Sequence, residues 1–504
     1  MIFRNYYLGC LAHASYLIGD RDTRTAVVVD PQRDIEQYFT DAAADGLTIR
    51  HVIETHFHAD FLSGHLELRN RTGATIYYGA RAQAEFAFTP LAEGDTIEMG
   101  RVRLVALETP GHTPESIAIL VYDLDVSTEV PHGILTGDTL FIGDVGRPDL
   151  MSAQGMSPQD LASMLYDSLH RKILTLPDET RVYPAHGAGS LCGRALRDEK
   201  VSTIGREKEW NYACAPMSRE EFVRLTTSDL PQTPAYFPFD AQRNREERPT
   251  LEQVLKQLKP LSLEETDRMV AAGATLLDAR EPVEFAASHL RGSINIGLGG
   301  KYATWAGSLL DRTRPIVLIA TPGREEEAAM RLGRIGFDIA AGYLEEGLDA
   351  LRQREERIDR LERLTPADLA AQAGTAVQAP TPTPATPAAQ TPPPAQTPPA
   401  AQAPPPAYIL DVRERSEVEA KRIPGSHWLP LGQLPERIGE VPRDRDVVVH
   451  CASGYRSVIA SSLLRRAGFT RVRDLAGGIE AWVRAGLPVA TGAIPEGSLT
   501  SPAA

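Results

Sequence analysis

The apolar positions of the chain fall into short runs that polar and glycine-rich loops separate. In the first part of the chain, the β-prone runs are Thr25–Val29, His51–Thr55, Val102–Leu107, Ser116–Val121 and Arg181–Tyr183, and a helical pattern covers Pro158–His170. Short apolar strands that alternate with helices are typical of layered α/β folds, whose sites lie at strand ends. We therefore predict that residues 1–245 form one large α/β unit.

Two later segments repeat one order of patterns. Each contains Leu-Asp-x-Arg-Glu, beginning at Leu277 and at Leu410, then an apolar run and a helix that ends in an Arg/Gly/Phe turn at Phe337 or Phe469. A tandem duplication of a small parallel α/β domain explains this order. We place the two copies at residues 250–358 and 408–491.

A change of composition separates the two copies. From Val377 to Pro406 the chain is almost wholly Ala, Pro, Thr and Gln, and such a segment has too little apolar surface to offset chain entropy. We assign residues 359–407 to a linker, either a semi-rigid polyproline II spacer or a disordered joint, and residues 492–504 to a tail. Another boundary, the polar run Asp240–Pro249, precedes a helical pattern that begins at Leu251.

Length, charge and cysteine content narrow the class of protein. The 504 residues are too many for a single core, and the net charge of −14 argues against a surface for nucleic acid or anionic membrane. The four cysteines are too few and too scattered for a disulfide framework. No apolar run approaches the roughly 20 residues that span a bilayer, and the first residues do not resemble a signal peptide. We expect a cytoplasmic homo-oligomer that binds neither nucleic acid nor membrane.

The strongest chemical signal comes from loops that follow the β-prone runs. Thr55-His-Phe-His-Ala-Asp-Phe-Leu-Ser-Gly64 places three metal-capable side chains at alternate positions. Later loops add His112 after Pro-Gly, Asp138 after Thr-Gly, and His186 after Pro-Ala. A lone loop histidine is usually a surface residue, but four such loops in this order predict a metal centre.

These loops resemble the metallo-β-lactamase superfamily over roughly residues 1–245, which implies an αββα sandwich with the metal at one edge. Phe61 departs from the dinuclear zinc hydrolases of this superfamily, such as glyoxalase II, which place a histidine for the second metal there. Because phenylalanine cannot bind a metal, Phe61 argues for a single ion. The single-metal branch that the chain resembles is the persulfide dioxygenases.

This resemblance implies one Fe(II) per chain, held by His56, His112 and Asp138. Two imidazoles and one carboxylate suit ferrous iron and leave open positions for dioxygen and a persulfide. The resemblance also implies that His58, Asp60 and His186 orient the ligands and water. The alternative is that these three residues bind zinc in a hydrolase.

Two further residues near these loops are candidates for a role. Arg147 belongs to a Gly-Arg-x-Asp element that resembles the family's, and it would bind a substrate carboxylate or an oxidised sulfur group, or else form a salt bridge with Asp149 or Asp144. Cys192 is a candidate sulfur relay or simply a packed residue. Its loop resembles the subfamily that is fused to rhodaneses and lacks the Asp-Tyr pair of many glutathione-using members. Glutathione, coenzyme A and other small thiols therefore stay open as carriers.

The second copy contains a reactive-cysteine motif, His450-Cys-Ala-Ser-Gly-Tyr-Arg-Ser457. The backbone N–H groups of such a loop, together with the N-terminus of the following helix, favour a thiolate that accepts sulfur. The motif resembles the rhodanese active loop over about residues 408–490. This resemblance implies that Cys451 carries sulfur and that Arg456 helps to bind the anion.

The first copy lacks this chemistry. Its equivalent loop reads Ala320-Thr-Pro-Gly-Arg-Glu325, and no cysteine occurs between Cys214 and Cys451. Neither alanine nor threonine can form a persulfide. We expect the middle domain to have a docking or structural role.

Three functions remain open from the sequence. The favoured one is oxidation of a low-molecular-weight thiol persulfide with O₂ to sulfite and thiol, coupled to transfer of sulfane sulfur among thiosulfate, sulfite and persulfide on Cys451. The first alternative is a zinc-dependent thioester hydrolase of glyoxalase II type with an accessory sulfurtransferase. The second is a non-enzymatic persulfide sensor or scaffold.

Overall fold

The computed structural model describes residues 1–150, 155–194, 196–228, 230, 233–352, 354–372 and 407–495. Contacts group them into two units. Within the described ranges, the first unit comprises residues 1–258, 301–313 and 326–341, and the second comprises residues 259–300, 314–325 and 342–504. Most of the predicted linker (373–406) and the end of the predicted tail (496–504) lie outside the described residues.

The first unit contains two six-stranded sheets. The strands of the first sheet, in spatial and chain order, are β1 (Ile2–Leu8), β2 (His13–Asp20), β3 (Thr25–Val29), β4 (Thr48–Ile53), β5 (Thr75–Gly79) and β6 (Thr89–Leu91). The strands of the second sheet are β7 (Thr96–Met99), β8 (Val102–Glu108), β9 (Ile117–Asp123), β10 (Gly133–Gly137), β11 (Arg181–Pro184) and β12 (Ser202–Thr203). Each β-prone run predicted from the sequence overlaps one of these strands.

Within the described part of residues 1–258 there are seven α-helices, of which the first two pack on the outer face of the first sheet and the next three on that of the second. They are α1 (Glu36–Ala44), α2 (His65–Thr72), α3 (Pro158–Arg171), α4 (Ile204–Trp210), α5 (Arg219–Thr227), α6 (Phe237–Arg243) and α7 (Leu251–Leu255). The predicted helix α3 begins where Ser157 Oγ accepts the N–H of Asp160 and Pro158 occupies the first turn, a common helix start.

Alternate residues of the strands point to two different hydrophobic cores, one between the sheets and one beneath the outer helices. Val27 and Val29 pack between the sheets with residues of β8, β9 and β10, whereas Ala26 and Val28 pack outward against α1. On the second sheet, Ala118 and Leu120 pack outward against α3 and α5. Because both faces of the strands are buried, their sequences are continuously apolar. The result is the predicted αββα sandwich.

The second unit contains two parallel five-stranded sheets with one strand order. The first sheet has the order β13 (Pro260–Leu261), β18 (Ala340–Leu344), β17 (Ile316–Ile319), β14 (Thr275–Asp278) and β16 (Ile294–Asn295). The second has the order β20 (Arg363–Leu364), β24 (Val472–Leu475), β23 (Val447–His450), β21 (Tyr408–Asp411) and β22 (His427–Trp428). β15 (His289–Leu290) and β19 (Ile358–Asp359) form a separate pair. The shared order agrees with the predicted duplication.

The helices of the two copies follow the same alternation. In the first copy they are α8 (Leu263–Ala271), α9 (Pro282–Ala287), α10 (Tyr302–Leu309) and α11 (Glu325–Gly333). In the second copy they are α12 (Pro366–Gln372), α13 (Arg415–Ala420), α14 (Leu434–Arg437), α15 (Tyr455–Arg466) and α16 (Gly478–Arg484).

The C-terminal domain begins before the proline-rich segment. Arg363 and Leu364 pair with β24, and Leu369 and Ala370 of α12 pack in the core with Trp482. The segment 359–407 that we assigned to a linker therefore includes a strand and a helix of this domain up to residue 372. Among the described residues, no helix is long and apolar enough to cross a membrane.

Candidate metal centre and sulfur-transfer site

The predicted metal-binding side chains meet at one edge of the sandwich. His56, His58 and Asp60 follow β4 of the first sheet, whereas His112, Asp138 and His186 follow β8, β10 and β11 of the second. All of them are at most 5% exposed, namely His56, His58, Asp60, His112, Asp138 and His186. Burial of so many polar groups requires partners, which here are one another or a cation.

His56, His112 and Asp138 converge on one point. Asp138 Oδ2 lies 3.7 Å from His56 Nε2 and 3.5 Å from His112 Nε2, and it has no hydrogen-bond partner among the described residues. The ligand atoms of the three residues all lie within 4.8 Å of one another. This arrangement fits a bound cation.

The protein fixes the orientation of the two imidazoles. His112 Nδ1 donates to the carbonyl oxygen of Arg147 at 2.9 Å, which leaves the lone pair on Nε2. His56 Nδ1 lies 3.0 Å from Thr55 Oγ1, which also bonds to Asp30. Burial lowers the pKa of both histidines, so each is held in the neutral form that binds metals.

His58, Asp60 and His186, which we call the second donor cluster, lie on the other side of Asp138. Their ligand atoms also converge within 4.8 Å. His186 bridges Asp138 Oδ1 at 2.7 Å and Asp60 Oδ2 at 2.9 Å. Burial would raise the pKa of Asp138, but the charge of His186 and its hydrogen bond to Asp138 hold that pKa well below its ordinary value. His186 therefore keeps Asp138 in its ionised, metal-binding form.

His58 faces carboxylates that the sequence motif did not reveal. Its Nε2 lies 3.1 Å from Asp30 and 3.5 Å from Glu54. Burial alone would lower the pKa of His58. The two carboxylates have the larger combined effect and raise this pKa to about 10. The Phe61 ring lies 4.5 Å from that of His58, measured between centroids, and supplies no donor atom.

Two residues that the sequence did not single out also belong to this site. His13, at the start of β2, is fully buried, and neither of its ring nitrogens has a partner among the described residues. Its ring centroid lies 4.1 Å from that of Phe61. Asn244 donates to the carbonyl oxygens of His58 and Phe61 at 2.8 and 2.7 Å and accepts the N–H of Ser63 at 2.9 Å. Asn244 therefore fixes the backbone of the metal loop, which we define as residues 54–64 between β4 and α2.

Arg147 and Cys192 lie beside the centre. The guanidinium of Arg147 contacts Asp149 through two bonds of 2.7 Å, as in the salt-bridge alternative. The Arg147 N–H donates to the carbonyl oxygen of Cys192 at 2.9 Å. The Cys192 thiol lies within 4.8 Å of donor atoms of Asp138 and His186. Burial raises the pKa of Cys192, which favours the neutral thiol.

Cys451 follows β23 directly, in the loop that leads to α15. Its Sγ accepts the N–H of Gly454 at 3.1 Å and lies 3.6 Å from Ser457 Oγ. Gly454 has a φ of +111°, a conformation that favours glycine. Arg456 forms two bonds of 2.6 and 2.7 Å with Glu417. The loop therefore directs the N–H of Gly454 to the sulfur atom.

The equivalent loop of the middle domain is built differently. Strand register aligns Ile319 with His450, so Ala320 stands at the position of Cys451 and Glu325 at that of Arg456. The N–H of Gly323, at the position of Gly454, donates to Glu325 Oε2 at 2.8 Å. A carboxylate of the chain therefore takes the place that sulfur has in the C-terminal domain.

Comparisons with known proteins agree with this architecture. The metallo-beta-lactamase superfamily model matches residues 8–186, and the rhodanese-like domain model matches residues 262–354 and 398–485. The mitochondrial persulfide dioxygenase ETHE1 of Bos taurus is 32% identical over 212 residues, which are 42% of this chain and 74% of that protein. A sulfurtransferase of Allochromatium vinosum is 44% identical over 89 residues, which are 18% of this chain and 80% of that protein.

A solved structure is similar over a larger part of the chain. The crystal structure of a metallo-beta-lactamase from Staphylococcus aureus has a TM-score of 0.61 and 32% sequence identity, and the match covers 68% of this chain and 98% of that one. The predicted fold class and family resemblance are thereby confirmed. The chain belongs to the metallo-β-lactamase superfamily, as a relative of the persulfide dioxygenases that carries two rhodanese-like domains.

Proposed function

We propose that the chain oxidises a low-molecular-weight thiol persulfide with O₂ at a single Fe(II) held by His56, His112 and Asp138. The reaction is RSSH + O₂ + H₂O → RSH + SO₃²⁻ + 2 H⁺, in which the outer sulfur loses four electrons to dioxygen. One observation carries the proposal: two neutral imidazole nitrogens and an unpartnered carboxylate oxygen converge in a buried pocket beside Phe61. Two histidines and one carboxylate are the ligands of many non-haem Fe(II) oxygenases.

Ferrous iron, when bound, supplies adjacent positions at which O₂ and a sulfur ligand react. The chain's own residues prepare those positions. His112 is held in one tautomer by the carbonyl oxygen of Arg147, and Asp138 is kept ionised by His186. Burial of the donors excludes bulk water from the reacting sulfur. We propose that Arg147 and Asp149 together shape the substrate side and that Cys192, whose burial favours the neutral thiol, packs beside the metal-binding residues.

We propose that Cys451 transfers sulfane sulfur in the C-terminal domain. The Cys451 thiolate attacks the outer sulfur of thiosulfate, the S–S bond breaks, and sulfite leaves with the electron pair. The N–H of Gly454 stabilises charge on the sulfur, and Arg456 attracts the dianion. The reverse exchange makes thiosulfate from the sulfite that the metal centre releases. The expected cytoplasmic location and homo-oligomer stay predictions.

A zinc-dependent thioester hydrolase is the second candidate, because the second donor cluster also converges within 4.8 Å. Two bound zinc ions and turnover without oxygen would favour it. One iron per chain and oxygen consumption would favour the persulfide dioxygenase.

The decisive experiment measures oxygen uptake by the full chain, loaded with Fe(II) under anaerobic conditions. The substrates are persulfides of glutathione, coenzyme A and other small thiols, and sulfite is quantified beside oxygen. Asp138→Asn should abolish uptake, whereas Cys451→Ser should preserve it and abolish transfer from thiosulfate. Absence of uptake with every persulfide would refute the proposal, and loss of uptake in Cys451→Ser would refute the division of labour.

A further inference from the structure

The metal loop is held partly by residues from the first rhodanese-like copy. Residues 326–341 of that copy group with the first unit. The N–H of Leu62, next to Phe61, donates to the carbonyl oxygen of Arg334 at 2.7 Å. Arg334 follows the last residue of α11, where helix carbonyls lack partners within the helix. A backbone N–H of the metal loop therefore satisfies a carbonyl group at the C-terminal end of this helix.

Arg33 forms the second contact between these segments. Its guanidinium is fully buried, and Nη1 donates both to the carbonyl oxygen of Gly333 and to Asp338 Oδ1, each at 2.5 Å. Its Nε donates at 3.0 Å to Glu67 of α2, the helix that begins directly after the metal loop. A buried guanidinium is stable only when carboxylates accept its hydrogen bonds. Arg33 has two such carboxylates, Glu67 of α2 and Asp338 of the rhodanese-like copy.

Glu67 extends this network to the loop itself. It accepts from Arg248 Nη1 at 2.8 Å, and Arg248 Nη2 donates to the carbonyl oxygen of Ser63. Arg334 adds a bidentate pair with Asp34, with both distances 2.7 Å. Charged and backbone bonds thus join residues 333–338 to the C-terminal end of the loop that carries His56, directly at Leu62 and through Arg33 at Glu67.

We propose that residues 333–338 of the cysteine-less rhodanese-like copy position the metal loop, and that Asp338 is a positioning residue for the metal centre. The copy has no thiol with which to transfer sulfur, yet it supplies the carbonyl and carboxylate groups on which Leu62 and Arg33 depend. Loss of Asp338 leaves the Arg33 guanidinium buried with one carboxylate fewer. The loop then loses its fixed position, and metal affinity falls.

The test measures Co(II) affinity of the full chain by competition with a chelator, and records the visible spectrum of bound Co(II). Asp338→Asn should weaken Co(II) binding about tenfold or more and change the spectrum, as loss of a group that orients ligands does. Asp338→Glu should restore most of the affinity. The control is Asp267→Asn, which makes the same chemical change in a more exposed bidentate pair with Arg357, in the second unit. That control should remain within twofold of the wild type.

Arg33→Lys is the milder second variant, since it keeps a cation but cannot reach Gly333 and Asp338 together. We expect it also to weaken Co(II) binding and to change the spectrum. Wild-type affinity and spectrum in both Asp338→Asn and Arg33→Lys would overturn the inference. The inference rests on the proposed function only in that the loop binds a metal. Absence of oxygen uptake in a wild type that binds Co(II) normally would count against the proposed function alone.

Discussion

Asp474 provides a quantitative test of electrostatics in the C-terminal domain. This residue of β24 is fully buried. Its Oδ2 accepts Arg363 Nε at 2.8 Å, and its Oδ1 has no hydrogen-bond partner among the described residues. Burial raises the pKa of Asp474 from 3.8 to about 6. We predict that Asp474→Asn, which imitates the neutral acid, stabilises the domain at neutral and alkaline pH.

The magnitude follows from the difference between the two pKa values. The folded-state pKa of Asp474 lies above the unfolded one, so its stabilising proton is fully present below pH 3.8 and is lost as pH rises through about 6. A shift of about 2 pKa units corresponds to about 3 kcal/mol. The advantage of Asp474→Asn should therefore be about 3 kcal/mol at pH 8 and below about 1 kcal/mol at pH 4.

The assay is urea unfolding at both pH values, followed by pulsed alkylation of Cys451. This thiol is 1% exposed in the folded domain, so its labelling reports local unfolding. Asp444→Asn, at a carboxylate on the surface of the same domain, is the control and should change stability little. An equal effect of Asp474→Asn at the two pH values, or destabilisation at pH 8, would refute the reasoning.

Three other substitutions test individual side chains. Phe61→His completes the second donor cluster, so elemental analysis should find two metal ions per chain instead of one; an unchanged ratio would contradict our interpretation of Phe61. His13→Leu removes two unpartnered buried nitrogens, so the free energy of unfolding should rise by about 1 kcal/mol; a lower free energy of unfolding in urea titration would contradict this. Glu417→Gln weakens the hold on Arg456, so the KM for thiosulfate should fall several-fold with little change in kcat; steady-state kinetics showing a higher KM would contradict it.

The strands and metal loops were predictable because their signals are local. Runs such as Thr25–Val29 are buried on both faces and are therefore continuously apolar. The histidines and aspartates directly follow such runs, and strand ends meet at one edge of a sandwich. A strand that ends in a metal-capable side chain is thus visible in the sequence before any fold is known.

The supports of the site were not predictable in this way. The polar run Asp240–Pro249 was interpreted as a boundary, yet Asn244 and Arg248 in it are buried and bond to the metal loop. Their partners lie more than 180 residues away along the chain. A polar run that faces water has the same composition as one whose side chains form hydrogen bonds with buried backbone groups far away along the chain. For the same reason, the strand and helix at 363–372 were included in the predicted linker.

The carboxylate in the loop of the middle domain has an evolutionary consequence. An Ala320→Cys exchange would create a thiol. However, the N–H of Gly323, which is equivalent to the Gly454 N–H that bonds to sulfur in the C-terminal domain, already donates to Glu325. The carboxylate of Glu325 also brings a negative charge to the N–H that would otherwise be available to a sulfur anion. At least two residues, Ala320 and Glu325, would therefore have to change before this loop could resemble that of the C-terminal domain. The middle domain is then not constrained to keep a loop that binds sulfur.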